Sequence, residues 1–95
     1  MEQDKNTQFF MYLVSSFELA AMQAMGKIKN PITDKIERDL NQAQFSIDIL
    51  DMLKDKTKGN LIDYETRFLE NTIGQLKLNF VDEQQKESTQ KEETK

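Results

Sequence analysis

At 95 residues the chain is long enough for one small domain, and its 13 Lys and Arg against 17 Asp and Glu leave a formal charge of −4 with no histidine to change it near neutral pH. That balance argues against nucleic acid as a partner, because sequence-blind binding draws on neutralised phosphates. The absence of Cys and His excludes disulfides, thiol chemistry, zinc or haem held by those ligands, and every His-based triad. No run approaches the roughly 18 apolar residues of a membrane span, and the polar start MEQDKNTQ lacks a signal-peptide pattern. The expectation is a cytoplasmic protein with no cofactor and no membrane contact.

The first predicted helix covers about 8–25. Phe10, Leu13, Phe17, Ala20 and Ala24 recur at steps of three and four, which makes one apolar stripe. Gly26 suits the left-handed residue that ends a helix, and Lys27 and Lys29 suit its negative end. Asn30 and Pro31 follow in a short linker.

The second predicted helix covers about 34–56. Thr33 or Asp34 is its expected N-cap, with Glu37 placed as the far half of a capping box on Asp34. Ile36, Leu40, Ala43, Ile47 and Leu50 form its stripe. Lys54, Lys56 and Lys58 crowd its end, and Gly59 supplies the stop.

A third helix, about 62–83, carries Ile62, Leu69, Ile73, Leu76 and Phe80 on one face and tolerates Gly74 in its interior. From Asp82 onward no apolar residue occurs, so the segment 85–95 is expected to be a disordered polar tail. The fold reading is therefore all-α: an antiparallel three-helix bundle in 1–84, assembled as a dimer.

The dimer expectation rests on surplus apolar surface. Met11, Tyr12, Leu19 and Met22 project away from the first stripe, and Phe45, Ile49 and Met52 away from the second. Helix 3 repeats this more weakly with Tyr64, Leu78 and Val81. A helix apolar on two sides is normally covered on two sides. The plainer alternative is a scatter of surface hydrophobes or an irregular core.

Chemistry is sparse. Asp48, Asp51 and Asp55 share a side of helix 2 with the shape of a cation site, yet carboxylate metal sites in bundles normally add His, so a solvated face accounts for them. Ser15 and Ser16 have no base in the chain to activate them. The loop Lys56, Thr57, Lys58, Gly59 and Asn60 combines two ammonium groups, a hydroxyl and an approaching helix start, which together suit an anion. It lacks the spacing of a P-loop, and lysines capping helix 2 beside a turn-forming glycine explain the same residues.

Taken together, Asn30-Pro31, then Ala43 with Ile47-Asp48 and Leu50, then Lys56 to Leu61, carry a family pattern. The chain resembles the bacterial family catalogued as domain of unknown function 1844 over 9–81. The resemblance implies a small cytoplasmic helical protein and brings no activity with it. That family commonly places a Thr followed by acids after the Asn-Leu, a ready capping box; this chain has Ile62 there. The cap of helix 3 is therefore expected at Asn60 or Asp63. The functional expectation is a non-enzymatic helical interaction module that self-associates, with room for an unidentified protein partner. The alternative is an accessory protein that contacts an anion, nucleotide or RNA through the 56–60 loop.

Overall fold

The computed structural model describes residues 2–93, and side chains over 5–87. Three helices make up the fold: α1 (Glu2–Ala24), α2 (Leu40–Lys56) and α3 (Asp63–Glu93). At 1.5 Å per residue they measure about 35, 26 and 47 Å. Each helix packs against both others. Among the described residues there are no strands, only two isolated β-bridges inside the first linker, Met25 with Arg38 and Asn30 with Lys35.

The core has three contributions of three residues. Val14, Ala21 and Met25 come from the first segment, Ala43, Ile47 and Leu50 from α2, and Leu69, Ile73 and Leu76 from α3. Ala21 and Ala43 are wholly buried, and side chains this small permit close helix approach. Phe10, Phe17, Leu40, Phe68 and Phe80 close the edges of this core.

Leu40 to Leu50 of the α2 stripe and Leu69 to Phe80 of the α3 stripe lie where their periodicity puts them. Ile62, expected on the α3 face, is exposed just before that helix, and α1 is rotated. Val14, Ala21 and Met25 are buried, while Leu13 is 42% exposed and Ala20 faces water. The cause is visible in the chain itself. Residues 9–25 are apolar on nearly every side, so 10-14-17-21 and 10-13-17-20 are equally good helical stripes.

Helix α2 begins six residues later than its predicted start. Asp34 has φ 58°, a left-handed conformation that cannot begin a helix. Asp39 is the true N-cap, extended at φ −147° and ψ 96°, and its carboxylate accepts the Asn41 and Gln42 amides. The intervening turn is organised by Asn30, all of whose polar groups are engaged. Its N–H donates to the Lys35 carbonyl (2.8 Å), and its own carbonyl accepts the Asp34 amide (2.7 Å). Its side chain accepts from the Ile32 amide (2.9 Å) and donates to Glu37 Oε1 (3.1 Å), which also takes the Thr33 hydroxyl (2.6 Å). Glu37 thus braces the turn and caps no helix. Ile36, expected in the α2 stripe, is 59% exposed in this linker.

Helix α3 continues through most of the segment expected to be disordered, as far as Glu93; residues 94 and 95 lie outside the described ones. Glu, Gln and Lys dominate there and favour helix intrinsically. Lys86 adds ion pairs to Asp82 at 3.3 Å and Glu83 at 3.1 Å, at four- and three-residue spacing.

Candidate functional site

The second linker follows from ordinary helix termination. The Thr57 N–H and hydroxyl both donate to the Leu53 carbonyl, at 3.0 and 2.7 Å, and so satisfy an open end of α2. Gly59 then turns the chain at φ 85°. The Asn60 amide returns to the Thr57 carbonyl at 2.8 Å. Lys56, Lys58 and Asn60 remain exposed.

The start of α3 is not capped at Asn60 or Asp63. The Ile62 carbonyl accepts the Thr66 amide (3.0 Å), and the Ile62 N–H donates to Glu65 Oε1 (3.0 Å). Ile62 therefore occupies the N-cap, and Glu65 supplies the returning half of a capping box whose other half is missing. Glu65 is buried, and its second oxygen accepts the Thr7 hydroxyl from α1 at 2.9 Å.

The positive end of α3 thus already holds a carboxylate from within the chain, which weakens the case for an external anion there. A cavity of about 390 Å³ beside the linker is floored by Leu61 and Leu69. Lys54 and Lys58 line it together with Asp55 and Glu70, so its charges balance, and Lys54 lies 3.5 Å from Glu70.

At the opposite end of the molecule sits a cluster that the sequence did not announce. Glu83 is 6% exposed and meets Lys27 at 2.7 Å, Arg38 at 3.2 Å and Lys86 at 3.1 Å. The Lys27 hydrogen bond, opposed by burial and helped by Lys86, holds the Glu83 carboxyl below the usual carboxylate range. The hydrogen bond to Glu83, with Asp82 second, raises the Lys86 ammonium above its ordinary value. Lys27 and Arg38 flank the Asn30 turn, so the cluster ties both legs of that linker to α3.

The outward sides of α1 and α2 carry the surplus apolar surface. Tyr12 is 76% exposed, Leu19 54%, Phe45 60% and Met52 47%, while Met11 and Ile49 are half-buried. Met22, expected on this surface, packs against the core instead. Its place is taken by Phe9 and Leu13, both exposed, which the α1 rotation turns outward. Phe9, Leu13, Ser16 and Ala20 follow four-three-four spacing on α1, and Phe45, Ile49, Met52 and Lys56 do the same on α2. Between the two helices, Ala20 and Gln23 face Gln42 and Ser46 across an open groove of about 530 Å³, whose upper rim includes Glu37 and Asp39.

Among the described residues no group of three or more acidic side chains is placed to hold a metal ion. No helix among them is long and apolar enough to cross a membrane. The family model described as Domain of unknown function (DUF1844) matches residues 6–83, most of the chain, and the chain belongs to that family. No curated protein and no solved structure matches it.

Proposed function

We propose that this member of the DUF1844 family is a non-enzymatic interaction module, an antiparallel three-helix bundle that pairs with a second copy of itself. The observation that carries the reading is the exposure of Tyr12, Leu19, Phe45 and Met52 on the outward sides of neighbouring helices. Fully burying a side chain of this kind stabilises by about 1.5–3 kcal/mol, so a cover for the face has a sizeable driving force. A two-fold pair buries the same patch on both subunits, which makes a single surface sufficient.

The antiparallel order is supported at both ends of the fold. The Asp39 amide donates to the Ala24 carbonyl at 2.8 Å, so α2 starts beside the end of α1. Thr7 meets Glu65 and Lys27 meets Glu83, so α1 and α3 keep company along their lengths in the same direction. The non-enzymatic reading is supported by a chain without Cys or His, and by Ser16, whose hydroxyl donates to the Tyr12 carbonyl at 2.8 Å.

Sedimentation equilibrium of the unmodified protein at micromolar concentration tests the pairing. The expected mass is twice the 11.1 kDa of one chain. A mass of one chain across the range overturns it.

A further inference from the structure

Resting on the self-association reading, the charges at the two ends of the α1/α2 face specify how the copies are oriented. The stripe on α2 ends in Lys56, which forms no ion pair among the described residues, and neither does Lys58 beyond it. The other end of the face carries two carboxylates and one guanidinium. There Glu37 and Asp39 rim the groove between α1 and α2, and no cation among the described residues forms an ion pair with either. Each engages one oxygen in internal hydrogen bonds, Glu37 through Oε1 and Asp39 through Oδ1. Arg38 lines the same groove, but its guanidinium is already paired with Glu83, which leaves Glu37 and Asp39 as the unpaired charges there among the described residues.

We propose that the two copies pack with their α2 helices running in opposite directions, about a two-fold axis near Ile49. Lys56 of each copy then lies over the Glu37 and Asp39 rim of the other's groove. The register follows from the spacing. Positions 42 and 56 are equidistant from 49, so Gln42 of one copy faces Lys56 of the other. Phe45 and Met52, four and three residues to either side, meet each other across the axis. The reverse choice, with α2 helices parallel, sets Lys56 against Lys56 and the Glu37 and Asp39 rims against each other. Like charges juxtaposed in an apolar interface disfavour that pairing.

The chain has no cysteine, so introduced thiols report contacts without background. Two single variants, Lys56→Cys and Gln42→Cys, are both at exposed positions and are oxidised separately and as a refolded mixture. The expected result is a disulfide-linked pair only in the mixture, at least tenfold above either variant alone. A disulfide pair from Lys56→Cys alone overturns the orientation while leaving the dimer intact. A dimeric mass with no cross-link in any sample also overturns it, because the face is then not where the copies meet. A monomeric mass for the unmodified chain instead removes the underlying self-association reading, and the two failures are told apart by sedimentation.

Discussion

Arg38 holds Glu83 twice. Its Nη2 donates to the Glu83 backbone carbonyl at 2.8 Å and lies 3.2 Å from the carboxylate Oε1. One side chain thereby fixes both the position of the first linker and the path of α3 past its last core residue. Lys27 completes the tie from the other leg of the linker. Because the carboxylate is buried and the contacts are charge-assisted, Glu83→Gln is expected to cost about 1.5–3 kcal/mol. Lys77→Ala, which removes an exposed pair with Asp51 at 2.9 Å, is expected to cost less than about 1 kcal/mol. Urea unfolding of the two variants checks the ranking, and equal costs would mean the cluster is ordinary surface pairing.

The same carboxylate gives the pH dependence a sign. A Glu with a lowered folded value contributes stability that is complete above its unfolded value of about 4.3. That contribution is lost as pH falls from there through the folded value. Lys86, shifted upward, acts on the alkaline side: its contribution is present below the ordinary lysine value and lost above it. Thermal midpoints measured from pH 3 to 7 should therefore fall less steeply in Glu83→Gln than in the unmodified chain. Parallel acid limbs would remove Glu83 as a cause.

The half-built cap on α3 offers a gain. Ile62 stands at the N-cap, 55% exposed, with Glu65 already bonded back to its N–H. Ile62→Thr adds a hydroxyl able to accept the Glu65 or Tyr64 amide. The expected gain is about 0.5–1 kcal/mol, in the range by which Thr exceeds aliphatic residues at this position. Calorimetry should show a higher midpoint, and an unchanged or lower one would show that the Ile62 side chain packs more usefully than a cap.

The glycines separate backbone from space. Gly59 has φ 85°, and a methyl group placed on its Cα would meet nothing within 4 Å, so any cost of Gly59→Ala comes from the backbone alone, about 1–2 kcal/mol. Gly74 has the same open surroundings but lies inside α3 on its exposed side, where Ala is favoured by about 0.8–1 kcal/mol. The two Ala variants should therefore move the melting temperature in opposite directions. Movement of both in the same direction would contradict the turn geometry at Gly59.

What the sequence disclosed depended on contrast between faces. In α2 and α3 the apolar residues recur against a polar background, and Ala43, Ile47, Leu50, Leu69, Ile73 and Leu76 are the core residues that this spacing names. In α1 the contrast is missing, so the helix was legible and its rotation was not. The N-cap of α2 was available in the letters: Asp39 followed three residues later by Gln42 is a capping-box spacing, in competition with Asp34 and Glu37. Only the φ of Asp34 and the bonding of Asn30 decide between them. Around Glu83 the letters offer only the Lys86 pair three residues on, common on any exposed helix, because its partners Lys27 and Arg38 lie 56 and 45 residues away. On the candidate surface, Phe45 and Met52 were legible from α2, whereas Phe9 and Leu13 became visible only with the true rotation of α1.

The association reading yields the sharpest change of state. Phe45 and Met52 are both exposed, so replacing them by Lys leaves the core of one chain intact while placing charge in the shared face. Transfer of such charges into an apolar contact costs several kcal/mol, far more than the face is expected to recover by rearrangement. The double variant Phe45→Lys with Met52→Lys should therefore sediment as one chain and keep its helical circular dichroism at high concentration. Its melting temperature should also cease to depend on concentration, since a midpoint that rises with concentration is the signature of folding coupled to assembly. For the unmodified protein, a tenfold dilution should lower the midpoint measurably. If dilution leaves the unmodified midpoint fixed while its mass stays dimeric, unfolding is not coupled to dissociation, and the face does not stabilise the fold as proposed.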